Sequence, residues 1–358
     1  MIIPDAKSQC RTTSEQPSVS LIVPVHDTWQ SRELSLESIV RLEAAAAELI
    51  LVSDGAMSDP PPELAARFRV FSTGSETCKG PATARNLGAR HAHGDILLFV
   101  DSDVVVPADL IWQIVAAFRD HPDAAALFGS YDDDAGAPNF LSQYKNLLHH
   151  FTHQHSRPDA STFWTGCGAI RADVFRALHG FAEERDLLED VELGARLAKA
   201  GHETRLVRSV QVKHLKRYSA VSLLKSDISR RAVPWSRLII SSGSLQNELN
   251  LARNQRVSAA LVAMLVLTAP IAIFDLRASA LSACAASAVA FINRAFYLFL
   301  AARRGWPFAL GSVFWHWLYF LYAAATFGFV LIEDFILRRR LRRPKRATLL
   351  QRGAIPTT

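Results

Sequence analysis

Asp101 and Asp103 stand one residue apart, directly after the apolar run Ile96-Leu97-Leu98-Phe99-Val100. Like charges this close repel and raise each other's pKa. A chain that ends a buried strand on two carboxylates therefore needs something positive between or beside them. The chemistry that suits the spacing is divalent-cation binding: Mg²⁺ or Mn²⁺ takes one or two protein carboxylates and fills its octahedron with water and phosphate oxygens. The plainer reading of D-x-D is a solvated turn. The burial expected of the preceding strand and a further acid, Asp54 in Ser53-Asp54-Gly55, favour the metal.

The elements that must position these acids alternate. Val19 to Pro24 reads as a strand, 31–46 as a helix with an Ala-rich end, and Leu49 to Val52 as a second strand. A short helix over 62–68, a strand at Arg69-Val70-Phe71, a helix over 81–92 and the strand 95–100 follow. Strands alternating with helices imply a mostly parallel sheet covered on both faces. Ligands of such sheets bind beyond the carboxyl ends of the strands. Three of those ends carry Pro24-Val25-His26-Asp27, Ser53-Asp54-Gly55 and Asp101-Ser102-Asp103, so the carboxylates gather on one rim.

The second half of the chain differs in kind. The stretches 257–274, 279–292 and 308–332 are nearly uncharged. The first is eighteen residues long, about the minimum for a bilayer core of roughly 30 Å. The last carries Trp315, Trp317, Tyr319 and Tyr322, residues suited to a membrane interface. Soluble core helices of this length seldom lack a polar face, so two or three transmembrane helices are expected. Residues 219–240 set Leu223, Leu224, Ile228, Trp235 and Ile239 among basic residues, the pattern of an interfacial helix. Three crossings set the tail Arg338 to Arg346, basic at seven of nine positions, against the positive-inside bias, and two do not. Three membrane helices, with 292–304 at the cytoplasmic surface, is the arrangement expected. The tail beside a membrane segment suits anionic lipid better than nucleic acid. The N-terminus lacks an apolar h-region behind a basic start, so it reads as a polar lead and not a signal peptide. The four cysteines form no C-x-x-C pair, which predicts neither disulfides nor a thiolate metal site. The predicted organisation is a polar lead over 1–17, an α/β domain over 18–218, an amphipathic segment over 219–256, a transmembrane region over 257–332 and a basic tail over 333–358.

The strings LIVPVHD, LVSDGAMSD and KGPATARNLGARHAHGDILLFVDSD, then WTGCGAIR and LLEDVELGARLAKAG, occur in that order. With them the chain resembles the inverting family 2 glycosyltransferases of GT-A (Rossmann-like) fold over roughly residues 18 to 215. The resemblance implies a sugar moved from a UDP- or GDP-linked donor to a lipid or surface-glycan acceptor, with Mg²⁺ or Mn²⁺ and without nucleic acid. Nucleotide sugars are cytoplasmic, which puts the catalytic domain on the cytoplasmic side of a multi-pass membrane protein, the cell inner membrane being expected. It implies that Pro24, Val25 and Asp27 line the base pocket, that Asp54 accepts a hydrogen bond from the base, and that Arg85, in the helix after Gly80, meets the donor's phosphates. Asp101 faces ribose or sugar and shares the metal with Asp103. His214 stands where several relatives place a metal-binding histidine. Trp164, Thr165, Gly166, Cys167 and Gly168 form the acceptor loop, Cys167 as a small packing residue. A hydroxyl acceptor must lose its proton to a carboxylate within hydrogen-bond reach. Asp190 is the candidate base and Glu189 its neighbour, against the plainer role of acids that complement a helix dipole.

The chain departs from the family at His26-Asp27, where Tyr-Asn is commoner, and at Ser53, which stands before a single acid. In place of the Q-x-x-R-W of processive relatives it has Ser229-Arg230-Arg231-Ala232-Val233-Pro234-Trp235. Arg230 and Arg231 are candidates to grip the donor's phosphate, and single-sugar transfer is expected over polymer extrusion. The rival readings are a nucleotidyltransferase, which would show a basic Gly-rich loop after its first strand, and a membrane protein that binds nucleotide sugars without turnover.

Overall fold

The computed structural model describes residues 16–26, 28, 29, 32–42, 47–184, 188–242 and 249–342. Asp27, most of the polar lead and the tail beyond residue 342 lie outside the described residues.

The first half runs β1 (Val19–Val25), α1 (Glu33–Val40), β2 (Ala47–Ser53), α2 (Pro62–Ala65), β3 (Arg69–Ser72), α3 (Pro81–His91), β4 (Ile96–Val100) and β5 (Val104–Val105). Then come α4 (Leu110–Asp120), β6 (Ala124–Tyr131), α5 (Phe140–His155), β7 (Asp159–Ala160), β8 (Cys167–Arg171), α6 (Ala172–Ala177), α7 (Glu189–Lys199) and β9 (Glu203–His214). The helix expected over 31–46 is described over Glu33–Val40, and β2 begins at Ala47, in register against Val19.

The strands form one mixed sheet in the order β3-β2-β1-β4-β8-β6-β9-β5, with β7 beside β9. Strands β1 to β4 pair in parallel, as alternation with helices requires. β8 then enters antiparallel between β4 and β6. The central strands β1 and β4 are apolar on both faces and fully buried. Leu21, Val23, Leu98 and Val100 pack toward α1 and α4, while Ile22, Leu97 and Phe99 pack toward α3, α6 and α7. Each large side chain buried this way contributes about 1.5–3 kcal/mol. Helix α3 lies close on the sheet because Gly88 has no side chain: a Cβ there would stand 2.5 Å from Ile22 Cγ2.

Two registers matter for function. Val100 lies opposite Cys167, which sets the start of β8 beside the Asp101 corner. Val104 lies opposite His214, which sets the end of β9 beside Asp103.

After β9 the chain is helical: α8 (Ala220–Asp227), a π-helical stretch Ile228–Ala232, α9 (Val233–Ser242), α10 (Arg253–Ala272), α11 (Leu276–Ile292), α12 (Arg294–Arg304) and α13 (Trp306–Arg342). Helices α10 and α13 are each long and apolar enough to cross a membrane. The pair α11 and α12 makes a third candidate only as one span bent by 61°. The bend falls at Asn293, whose buried amide donates to Ser258 Oγ and to the Val289 carbonyl. Beyond it α12 docks on the α/β domain. Phe296 and Leu300 pack with Tyr144 and Leu147 of α5, and Arg303 pairs with Asp133 at 2.8 Å. The segment expected at the cytoplasmic surface thus also packs on the α/β domain.

Candidate active site

The acids of the rim are tied together by one cation. Arg85, in the second turn of α3, is 4% exposed and reaches Glu189 at 2.5 Å with Nη1 and Asp101 at 2.6 Å with Nη2. This planar fork is the group suited to hold two carboxylates at once. It relieves the repulsion inside both acidic pairs and fixes α7 to the end of β4. The sequence placed Arg85 on the donor's phosphates, but its two terminal nitrogens are engaged by Glu189 and Asp101.

Asp190, next along α7, is left facing the loop at Thr165. Its Oδ2 lies 3.4 Å from the Thr165 N–H and 3.5 Å from the Thr165 hydroxyl, and its Oδ1 accepts from the Val191 N–H at 2.8 Å. Burial, then the Glu189 charge, push its pKa up to about 7, although Arg85 and the N–H donors pull the other way. Two backbone features allow this placement. Leu188 precedes α7 in the left-handed region, at φ 64°. Gly194 lets α7 abut the loop before Thr165, since a Cβ there would stand 2.4 Å from the Phe163 nitrogen.

The loop Trp164 to Gly168, expected at the acceptor, is closely packed. Thr165, Gly166, Cys167 and Gly168 are buried. A Cβ on Gly166 would collide with the Trp164 indole and one on Gly168 with the Trp164 carbonyl. Cys167 is fully buried and burial pushes its thiol up to about 12, so it packs and is not nucleophilic. Trp164 stands edge-on to Tyr131 and beside His153.

On the other side of the D-S-D corner, His214 Nε2 lies 3.5 Å from Asp103 Oδ2, and the His214 ring stacks on Tyr131 at 4.3 Å. The Leu215 N–H donates to the Asp103 carbonyl at 2.8 Å. Burial pushes the Asp103 carboxyl up, but His214, Lys216 and Arg32 outweigh it and hold it at about 2. The expected ligand set of Asp101, Asp103 and His214 does not form as a trio. Among the described residues no group of three such side chains could hold one ion, because Arg85 draws Asp101 away. Asp103 and His214 remain as a pair of oxygen and nitrogen donors. That pair fits Mg²⁺ or Mn²⁺, which fill the remaining positions with water and phosphate oxygens.

The other expected residues have local roles. Pro24 and Val25 are buried in β1, and the Val25 carbonyl accepts from the Asp54 N–H at 2.9 Å. Asp54 accepts from the Thr73 hydroxyl, the Cys78 thiol and the N–H groups of Lys79 and Gly80, at 2.8 to 3.0 Å. Burial raises its pKa, but these donors together bring it below the usual carboxylate value. The sequence offered the start of α3 to a phosphate and Asp54 to the base. Asp54 thus holds the two N–H groups just ahead of α3, where Gly80 turns at φ 96°. Arg230 is exposed on the π-helical stretch, and Arg231 lies 3.9 Å from Asp227.

With this geometry in view, residues 20–178 match the family described as Glycosyl transferase family 2. This stretch is similar to a family 2 glycosyl transferase domain. The glycosyltransferase GlyG of Streptococcus pneumoniae serotype 4 is 30% identical over 118 residues, 32% of this chain and 38% of that protein. The O-antigen chain rhamnosyltransferase RfbN of Salmonella typhimurium is 24% identical over 213 residues, 56% of this chain and 67% of that protein. At 30% identity the chain spans only 33% to 38% of the length of the first curated relatives. Among solved structures, the mannosyltransferase PcManGT from Pyrobaculum calidifontis, in complex with GDP-Man and Mn²⁺, superposes with a TM-score of 0.51 at 18% identity over 87% of each chain. That likeness is one of fold, and the fold here is GT-A-like.

Sequence reading missed three members of the site. The Arg85 bridge joins residues 104 apart in the chain, Tyr131 gives no motif signal, and Asp54's partners lie across a loop. The one available hint was the repulsion within D-S-D and E-D, which calls for a cation.

Proposed function

We propose that this protein transfers one sugar, with inversion, from a nucleotide-sugar donor to an acceptor hydroxyl, with Asp190 as the general base. The observation that carries the reading is Asp190 itself. It is held beside the buried Thr165 strap with a pKa near 7, which is where a base working near neutrality is most effective. The Arg85 bridge engages Glu189, so the two acids of α7 differ in role: Glu189 positions, and Asp190 takes the proton.

Asp103 and His214 would hold a divalent cation at the donor side. Bound there, the ion would supply positive charge for the diphosphate that leaves. Asp101, pinned by Arg85, would present its other oxygen to the donor sugar or ribose. The donor is a nucleoside diphosphate sugar, as GDP-Man is in the PcManGT complex. The amphipathic and membrane-candidate helices after β9 fit a membrane-attached enzyme whose catalytic domain faces the cytoplasm, where nucleotide sugars are made.

The test uses the full chain in neutral detergent with Mn²⁺ and a panel of UDP- and GDP-sugars. Release of nucleoside diphosphate supports the reading, and Asp103→Asn abolishes it. Release of pyrophosphate instead would make the protein a nucleotidyltransferase, and binding without release would make it a sensor.

A further inference from the structure

Tyr131, the last residue of β6, touches both halves of the site. One face of its ring lies on the His214 imidazole, with centroids 4.3 Å apart and planes within 11° of parallel. The Trp164 indole stands edge-on to it at 4.8 Å and 89°. The ring is buried. Among the described residues the side chains that bond to Tyr131, His150 Nδ1 at 2.8 Å and the Ser130 hydroxyl at 2.9 Å, both reach its carbonyl, and none reaches its hydroxyl. What the fold grips on this side chain is therefore the ring.

The contact is arranged by an irregular strand pairing. Strands β6 and β9 run parallel with Phe128 opposite Leu206, yet Ser130 stands opposite Gln211 and Tyr131 opposite Val212, so β9 spends five residues where β6 spends two. Gly129 permits the close approach at this point, since a Cβ there would stand 2.5 Å from the Val210 carbonyl oxygen. Such irregularities re-aim side chains beside functional sites. Had the first register run on, Tyr131 would lie opposite Ser209, and His214 would be five residues further along β9 instead of two. His214 also needs an outside support. A metal-binding imidazole is usually aimed by a hydrogen bond on its second nitrogen. Here Nε2 faces Asp103 at 3.5 Å, and among the described residues no hydrogen bond holds the other nitrogen. Tyr218 is tilted and 6.4 Å off, which leaves the Tyr131 face to fix the imidazole plane.

We propose that Tyr131 is a positioning residue: its ring face aims His214 at a cation beside Asp103, and its edge ties that aim to Trp164. The assignment rests on the reading that Asp103 and His214 hold a divalent cation. It adds a consequence for the reaction. Trp164 directly precedes Thr165, which meets Asp190. A shift of the imidazole on taking up the ion is therefore passed through one ring to the loop against which the proposed base rests. Filling the metal position and setting the base become linked events, although no side chain belongs to both.

The test uses the full chain in neutral detergent, saturated with GDP or, separately, UDP, and titrates Mn²⁺ by calorimetry. Tyr131→Leu should weaken Mn²⁺ about tenfold, the loss expected when the support of a metal ligand is removed. Tyr131→Phe keeps the ring and should stay within about twofold of the parent. The double variant Tyr131→Leu with His214→Ala should bind no more weakly than His214→Ala alone, because Tyr131 acts through His214. Tyr131→Met, which keeps bulk without a ring face, replaces the leucine variant if that one does not fold. A second readout follows the loop. In protein labelled with 5-fluorotryptophan, the ¹⁹F resonance lost in Trp164→Phe should move when diamagnetic Mg²⁺ is added to the nucleotide-saturated parent, and should stay still in Tyr131→Leu. Unchanged Mn²⁺ affinity in Tyr131→Leu, equal losses in the Leu and Phe variants, additive losses in the double variant, or a Trp164 signal blind to Mg²⁺ in the parent each overturn the proposal and leave the metal reading standing. A parent that binds nucleotide but takes up no Mn²⁺ sinks both.

Discussion

Replacing Asp190 by Asn should destroy activity and stabilise the protein, two effects that a merely structural acid would not combine. In the folded chain the Asp190 pKa rises from 3.8 to about 7, first through burial and then through Glu189. The folded state therefore holds the proton more tightly than the unfolded one. Its contribution to stability is complete below pH 3.8, declines from there, and is lost as pH passes about 7. At about 1.4 kcal/mol per tenfold change in proton affinity, ionised Asp190 costs the fold up to about 4 kcal/mol above pH 7. Asparagine is always neutral and should recover much of this. At pH 8.5 Asp190→Asn should melt several degrees higher than the parent, while at pH 4 the two should nearly coincide. In the same preparation, sugar transfer at pH 7.5 should fall by about 10²–10⁴, the range for losing a general base. The parent's rate should fall tenfold per pH step below about pH 7, the acid limb of a base that must be ionised. A variant that melts lower at pH 8.5 would refute the burial argument, and one that keeps near-full activity would remove Asp190 from proton transfer.

Glu189→Gln removes the negative neighbour of Asp190, so the acid limb should move to lower pH, read from rate profiles of the two proteins. Arg85→Met leaves Glu189 and Asp101 without their shared cation and should cost about 3–5 kcal/mol in denaturant unfolding; Arg85→Lys should not restore it, since one ammonium cannot span both acids. Asp103→Asn and His214→Ala should each weaken Mn²⁺ binding by at least tenfold in calorimetry with GDP present, and Asp101→Asn should weaken it less. Gly194→Val should lower both stability and activity, because its side chain would press α7 away from Phe163 and Asp190 away from Thr165.

Local signals in this chain are strong where the structure is local. The first strands, helix α3 and the D-S-D corner are legible because each is written in a short apolar run and its flanking turn. What does not show in sequence is pairing across the sheet. His214 and Asp103 meet only because β9 returns antiparallel to β5, and no periodicity in 206–212 announces that register. The family resemblance supplied His214, and the topology explains it. The helical half followed the same rule: hydropathy identified α10 and α13, but not the turn at Asn293, whose partner Ser258 lies 35 residues earlier.

The instructive case is Arg85. From the sequence, an arginine near a helix start after glycine suggests an anion from outside. In the fold there are anions inside: Asp54 accepts from Lys79 and Gly80 just ahead of α3, and Asp101 and Glu189 take the guanidinium. Both outcomes follow the same electrostatics, since a helix N-terminus and a buried guanidinium each require negative charge. Sequence shows that the requirement exists. It cannot show which carboxylate meets it, because that depends on strands β2, β4 and helix α7 ending on one rim. The consequence is mechanistic: with Arg85 committed to the two acids, positive charge for the departing diphosphate must come from elsewhere on the rim, and Asp103 with His214 is where a cation would be held.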